Sequence, residues 1–450
     1  MMRFATFAPL LLVVAVIAAS GLSGASARAP PGGGASVLSL SNAPHGILTD
    51  ALRASNVTQV PTKSVTVDLD LAPYDRWHDV CAGFSQYAEG LAQYLEDILN
   101  MSRKEEALVE KAGELLVALF GDEGREELRG CADGLGVDPG MLGILNLSYE
   151  LRRLGGGIHN STGPCPPSGA PHAVGEPKGC VFGNSTAAAG NVCTSIVARG
   201  PDRVVRHGRN FDWNIPNSLR GLAVTLHFTR SGAPVFTSGG MIGFIGVITA
   251  MKAGQFTASI DARDLGGSIG GDIAASLTHP KAMGPCFLLR KTMETAKTYS
   301  EAVEMLAQSE LVAPVYYIVG GLGSDEGALL SRGREAVYQP RYLSAGDDVG
   351  VDAGGGRDGG VDNGGDGDDV WYLLETNYDH WETPPSYDDR RSYGLRYMDQ
   401  LTQAKADTEG LHGVMNTWPI MNDATSMTVM MSAADGNFTA YINYWNGPTY

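Results

Sequence analysis

Hydrophobic and polar positions alternate over residues 64–71, with Val65, Val67, Leu69 and Leu71 on one side. That is the period of a half-buried strand. From Arg76 the period lengthens. Phe84, Tyr87, Leu91, Tyr94, Leu95, Ile98 and Leu99 return at helical spacing, as do Leu108, Ala112, Leu115, Leu116, Leu119 and Phe120. A third helix opens at Asp138-Pro139, an N-cap followed by proline at the first helical position, and runs through Met141, Ile144, Leu145 and Tyr149. Amphipathic helices of this kind bury their apolar stripe in a core. The functional alternative is that one of them docks on a lipid surface.

Beyond residue 190 the period returns to two. Residues 193–198 predict a strand, the segment around Gly200 and Asp202 a turn, and a second strand carries Arg209 and Asp212 back. Leu222, Val224, Leu226 and Phe228 alternate with polar neighbours, and Ser231-Gly232 turns the chain into a hairpin with 234–238. Strands are expected near 244–249 and 255–262, then helices near 272–277 and 302–309. The second of these helices starts from a capping box, Thr298 with Glu301. Strands at 315–319 and 328–331 flank Gly320-Gly321. The order strands, helices, strands predicts an α+β fold, two sheets with helices outside.

Composition adds the compartment. The 450 residues carry a formal charge of −17, and without a basic face nucleic acid is excluded as a partner. Residues 345–369 hold eight Asp and one Arg, a contribution of −7 that leaves −10 for the rest (−17 minus −7). This Gly/Asp tract matches neither an EF-hand nor a repeated nonapeptide, so it reads as a solvated insertion and no metal is assigned.

Arg3, an apolar run over 9–19 and Ala25-Ser26-Ala27 make residues 1–27 a secretory signal. Residues 28–60 follow as a flexible leader, and no later apolar run reaches the length of a span. A soluble lumenal or secreted glycoprotein is expected, with glycosylation candidates at Asn56, Asn100, Asn146, Asn160, Asn184 and Asn437. Six cysteines suggest disulfides, with Cys165 to Cys180 the first candidate pair and Cys81 to Cys131 the second.

Cys193 follows a Gly/Pro/Ser-rich connector, 153–190, of a protease-accessible kind. If the chain is cut there, the thiol gains an α-amine on its own residue. A thiol of pKa about 8.5 is mostly protonated in acid, and an amine of pKa about 7.7–8.0 can take its proton. No separate histidine is then required, and His207 reads as structural. Arg209 and Asp212, taken to share approximately one face of the returning strand, would lower the thiol pKa and orient the amine.

The motifs Cys193-Thr-Ser-Ile-Val-Ala, His207-Gly-Arg-Asn-Phe-Asp212, Tyr316-Tyr-Ile-Val-Gly-Gly321, Glu375-Thr-Asn-Tyr-Asp-His-Trp381 and Asp388-Asp-Arg-Arg391 resemble the acid ceramidase and N-acylethanolamine acid amidase family. The likeness runs from about Val60 to the C-terminus. It implies an N-terminal nucleophile hydrolase with an αββα sandwich and no cofactor. It also implies a precursor cut between Val192 and Cys193, giving an α-chain, 61–192, and a β-chain, 193–450, that stay associated. Asn377 fits an oxyanion donor, and Arg390 resembles the family's second arginine, steadying Asp212 or the loops.

One departure stands out. Where relatives carry Glu-Arg, this chain has Asp261-Ala262-Arg263, with Asp261 expected to face away. The resemblance implies hydrolysis of an N-acyl lipid amide. The substrate would be reached at a membrane surface or from a lipid-presenting protein. The short link from Asp212 to Leu222 favours N-acylethanolamine over ceramide, and the apolar segment 241–247 is a candidate lining for the acyl chain. A papain-like protease lacks the required histidine context, and a non-catalytic lipid-binding relative is suggested only by Ala262.

Overall fold

Two sheets form around the alternating segments. The computed structural model describes residues 57–98, 120–147, 192–263, 281–344, 369–384 and 388–446. In chain order the main elements are β1 Val57–Pro61, β2 Lys63–Asp68, α1 Pro73–Ala82, α2 Ala88–Ile98, α3 Gly121–Leu135 and α4 Pro139–Asn146. The chain continues with β3 Val192–Arg199, β4 Val205–Asp212, β5 Ala223–Arg230, β6 Ala233–Met241, β7 Thr249–Lys252 and β8 Phe256–Ala262. Then come α5 Pro285–Thr295, α6 Tyr299–Gln308, β9 Val315–Gly320, β10 Gly327–Arg332, β11 Val337–Tyr342 and β12 Tyr372–Glu375. The last are α7 Arg390–Leu401, α8 Thr408–Met415, β13 Thr425–Ser432 and β14 Asn437–Trp445.

Sheet one runs β1-β14-β13-β4-β3-β12, and sheet two runs β11-β10-β9-β8-β7-β6-β5-β2. Alternation assigns their faces. Val197, Val205, Tyr316, Ile318, Leu329 and Leu373 meet between the sheets. Ile196, Ala198 and Met430 face the other way and pack under α7 and α8 with Met398, Leu411, Val414 and Met415. Ala258, Ile260, Tyr317 and Val319 bury their side of sheet two with Leu288, Leu289, Ala302 and Leu306 of α5 and α6. The layers are helix, sheet, sheet, helix, the expected αββα sandwich.

The segment before Cys193 is built into this sandwich at three places. β1 pairs with β14 and β2 with β5, so one short stretch extends the edge of both sheets. Thr62 makes the bend, donating its N–H to Ala440 O at 3.0 Å and sharing a 2.7 Å hydrogen bond with Thr225. α3 lies so close on α1 that a Cβ on Gly130 would meet Tyr74 O at 2.0 Å. The Cys81–Cys131 disulfide, the second expected pair, joins these two helices. Cys165 and Cys180 lie outside the described residues. Buried Glu127 of α3 takes Arg290 of α5 at 2.7 Å and Arg76 of α1 at 2.9 Å.

Several expectations are corrected. The leader ends before Val57, because residues 57–60 pair with β14, a partner no local pattern reveals. The strand read over 64–71 stops at Asp68, and Leu71 is exposed. The helical stretch from Phe84 is broken by a single 3-10 turn at Ser85–Tyr87, and α1 precedes it. α3 and α5 were not read. α3 carries four glycines and five acidic side chains over a narrow apolar stripe.

Asp138 caps α4 by accepting from Gly140 and Met141, and Thr298 caps α6 by accepting from Glu301 N at 3.1 Å. The helices read over 108–120 and 272–277 fall on residues almost wholly outside the described set, as do most of the 153–190 connector and the 345–369 insertion. Among the described residues, no helix is long and apolar enough to cross a membrane.

Candidate active site

Cys193 lies one residue into β3, is fully buried and carries a free thiol. Its strand neighbours fix which groups it meets. Cys193 sits opposite Phe211 and Ser195 opposite Arg209, so these four residues share the face between the sheets. Arg209 Nη2 donates to Cys193 Sγ at 3.1 Å and to Ile260 O at 2.7 Å. Its Nε reaches Asp261 Oδ1 at 3.4 Å.

Asp212 is offset from Arg209 by three positions and therefore lies on the opposite face, which corrects the expectation of a shared one. It sits across from Val192, on the helix-covered side of sheet one. Thr425 donates to its Oδ1 at 2.6 Å, Asn422 to its Oδ2 at 3.2 Å, and Arg390 Nη1 lies 3.6 Å away. A register shift in β13 beside Thr425 brings that hydroxyl to the carboxylate.

Asn377 spans the sheets just beyond β12. Its Oδ1 accepts from Cys193 N at 2.7 Å and its Nδ2 donates to Ala262 O at 2.8 Å. The fixed donor on one side and the carbonyl on the other determine which way the amide points. Of its two Nδ2 protons, one is thereby held by Ala262 and the other is the one an oxyanion would use. The residue sits at φ 75°, a left-handed conformation asparagine tolerates.

Arg390, the first residue of α7, donates to Cys193 O at 2.5 Å, Thr194 Oγ1 at 3.2 Å, Thr376 O at 3.0 Å and Asn377 Oδ1 at 3.0 Å. It also pairs with Asp388 at 2.6 Å and 2.9 Å. One guanidinium therefore fixes the strand end, the Asn377 loop and the Asp212 side of the site.

Burial dominates the electrostatics. It pushes the Cys193 thiol up to about 12; Arg209 opposes this, while Asp261 and Asp212 add to it. The thiol of the uncut chain is thus protonated. Burial lifts Asp212 to about 7 against Arg390, Thr425 and Asn422. Asp261 is also raised by burial, with Arg209 and Ser195 opposing. Burial, and then Asp261, lifts Glu375 to about 8.

Asp261 corrects another expectation. It faces the site, while Ala262 contributes only its carbonyl. The signal was present in the sequence, because Thr257, Ser259 and Asp261 alternate with Phe256, Ala258, Ile260 and Ala262 along one strand. Glu375, Ser195 and Ser259 are further site groups that were not singled out. Arg263 leaves the cluster to clamp Asp379 at 2.8 Å and 2.7 Å, and Tyr316 donates to the same carboxylate at 2.8 Å.

Asn146 corrects the list of glycosylation candidates. Its side chain is buried, accepts from Ile245 N at 2.8 Å and donates to Gly243 O at 2.7 Å. A glycan cannot be attached there in the folded chain. Asn437 is exposed at the start of β14. Asn56, Asn100, Asn160 and Asn184 lie outside the described residues.

Residues 242–248, expected to include the start of a strand at 244, form a buried turn before β7. Gly243 there takes φ 94° beneath Leu142 and Leu145 of α4. Among the described residues, no cluster of His, Cys, Asp and Glu is arranged to hold a metal ion.

A family profile described as the beta subunit of N-acylethanolamine-hydrolyzing acid amidase matches residues 60–121, a stretch that precedes Cys193. The acid ceramidase of Pan troglodytes is 27% identical over 399 residues, spanning 85% of this chain and 86% of that protein. The acid ceramidase of Homo sapiens is 27% identical over 394 residues, spanning 84% and 85%. A solved Caenorhabditis elegans N-acylethanolamine-hydrolyzing acid amidase ortholog is 27% identical, covering 54% of this chain and 93% of its own at a TM-score of 0.44. Over most of its length, with the shared motifs gathered on adjoining strand ends, this chain is similar to the acid ceramidase and N-acylethanolamine acid amidase family.

Proposed function

We propose that the protein is a self-cleaving cysteine amidase that hydrolyses the amide bond of N-acyl lipids. The observation that carries this is the double hold on Cys193. Arg209 donates to its sulfur, while Asn377 Oδ1 accepts from its backbone nitrogen, the atom that becomes the α-amine.

In the cut, Cys193 Sγ attacks the Val192 carbonyl carbon. Asp212, raised to about 7 and so protonated in acid, lies across from Val192 on the other face of the strand and gives its proton to the departing Cys193 nitrogen, while the thiol proton leaves to solvent and Asp212 is reprotonated from it. A thioester to Val192 forms as the C–N bond breaks. Water hydrolyses it, leaving a Val192 carboxylate, the thiol and the new amine.

In turnover the α-amine takes the thiol proton and the thiolate attacks the lipid amide. The protonated amine then returns its proton to the leaving nitrogen. Water releases the fatty acid from the S-acyl intermediate. The second Asn377 Nδ2 proton stabilises the oxyanion, and Arg390 keeps Asn377 and Asp212 in place.

The chains produced, an α-chain that includes residues 57–192 and a β-chain, 193–450, stay associated through β1, β2 and the Glu127–Arg290 pair. Residues 1–27 direct the protein to the lysosome or outside the cell. Phe211, Trp213, Ile215 and Leu219 lie in one apolar cluster with Cys193, Ile242 and Phe244, which suits an acyl chain.

The short link between Asp212 and Leu222 favours an ethanolamide leaving group. The second reading is ceramide, favoured by acid ceramidases 27% identical over most of the chain. Release of fatty acid from the two substrates by the purified mature protein distinguishes them. Activity persisting in Cys193→Ala would remove the nucleophile from this scheme, and no release from either lipid by the wild type would favour a non-catalytic lipid-binding relative.

A further inference from the structure

Away from Cys193, a file of buried polar side chains crosses between the two sheets. Thr257 Oγ1 lies 3.1 Å from His207 Nδ1, and His207 Nε2 lies 3.0 Å from Ser259 Oγ. Ser259 Oγ is 3.0 Å from Ser195 Oγ, which donates to Asp261 Oδ1 at 3.0 Å. Asp261 in turn meets Arg209 Nε at 3.4 Å, and Arg209 Nη2 meets Cys193 Sγ at 3.1 Å. His207, Ser195, Ser259, Asp261 and Arg209 are each fully buried, and Thr257 nearly so. Nothing in the proposed reaction uses the part beyond Asp261.

We infer that Thr257, His207, Ser259 and Ser195 form a hydrogen-bond chain of one fixed direction that positions Asp261, and through it the Arg209 guanidinium, against Cys193. The inference rests on Cys193 being the nucleophile. The direction follows from counting protons. An ionised carboxylate only accepts, so Ser195 spends its single proton on Asp261. Ser195 must then accept from Ser259, and Ser259, its proton spent, must accept from His207 Nε2. A neutral imidazole has one N–H, so Nδ1 is left as an acceptor facing Thr257 Oγ1, whose proton Nδ1 at 3.1 Å shares with Gly320 O at 3.3 Å.

His207 is neutral because burial, and secondarily Arg209, push its pKa down to about 3. One tautomer therefore satisfies the whole chain, and the order ends on the carboxylate that holds Arg209. Asp261 depends on this support. Among the described residues its Oδ2 has no hydrogen-bond partner, and Oδ1 takes both Ser195 and Arg209.

The charged groups acting on Asp261 are Arg209 from β4 and Arg390 from α7, both favouring its anion. Glu375 of β12, lifted to about 8, is neutral below that pH. Tyr316 of β9 is its cross-strand neighbour. Thr257, His207, Ser259 and Ser195 are positioning groups, since none of them touches the reacting atoms.

The test has two arms. In the first, imidazole nitrogen NMR of the uncut Cys193→Ala protein at pH 5–7, with the His207 signal assigned by its loss in His207→Gln, reads the tautomer. The chain predicts a neutral ring protonated at Nε2, and a mixed tautomer once Ser195→Ala is added. An Nδ1-protonated or charged ring in the Cys193→Ala protein overturns the proposal.

In the second arm, kcat/KM of the mature enzyme is followed against pH. Ser195→Ala should move the acid limb upward by about one pH unit, because a hydrogen bond to the anion is lost. Ser259→Ala should move it less and in the same direction, and Ser195→Thr, which keeps the hydroxyl, should restore it. Unchanged acid limbs in both alanine variants refute the proposal. Activity surviving in Cys193→Ala would instead refute the nucleophile assignment, whatever the tautomer.

Discussion

Replacing Glu375 with glutamine should remove a large part of the acid stabilisation of the uncut chain. Glu375 ends β12, fully buried opposite Ser195, and one of its oxygens accepts from Thr376 N at 2.9 Å. Burial, then Asp261, raises its pKa from 4.5 to about 8. Between those values the folded chain holds a proton that the unfolded chain has released. The stabilisation is complete below about 4.5 and is lost as pH rises through about 8.

Each pH unit inside this window is worth up to about 1.4 kcal/mol. Going from pH 8 to pH 5 therefore contributes about 3 kcal/mol, or about 5 °C in Tm for a chain of this size. Glutamine keeps the shape and the neutral state, so Glu375→Gln should flatten the slope. The assay is thermal unfolding of Cys193→Ala with and without Glu375→Gln at pH 5 to 8. Asp212, raised to about 7, is present in both proteins and cancels in the comparison. Parallel Tm curves would refute the reasoning.

Asp212→Asn should slow self-cleavage about 100-fold, the usual contribution of a positioned acid–base group, as read from precursor remaining on a gel after acidification. Arg290→Met leaves Glu127 buried with only Arg76 as a cation partner and should cost about 3 kcal/mol, so the two chains of the cut protein should separate on size exclusion where the wild type co-elutes. Peptide mapping of the purified protein should find a glycan on Asn437 and none on Asn146, whose amide is bonded to Gly243 and Ile245.

The strands after Cys193 were legible where they alternate. Leu222, Val224, Leu226 and Phe228 specify one face of β5, and Ser231-Gly232 the hairpin that follows. Asp138 and Thr298 announced their helices because a cap acts within four residues. β1 was illegible because its partner, β14, lies almost four hundred residues away. α3 hid behind glycines, of which Gly130 and Gly134 are required by the close approach of α1.

At the site, Cys193, Arg209, Asp212, Asn377 and Arg390 could be named from their motifs, but their faces could not. Strand parity places Arg209 and Asp212 on opposite sides of sheet one, and it turns Asp261 towards Arg209. The chain through His207 needs both sheets, since Ser195 and His207 belong to one and Thr257 and Ser259 to the other. No spacing within a single segment encodes that crossing.

The central claim is that Cys193 becomes the first residue of the catalytic chain and is its nucleophile. The most direct measurement is intact mass and N-terminal sequencing of the purified precursor before and after acidification, beside Cys193→Ala. The account predicts a wild-type chain that begins at Cys193, in step with the appearance of fatty acid release, and a Cys193→Ala chain that remains whole. A wild-type protein that releases fatty acid while still uncut between Val192 and Cys193 would contradict it.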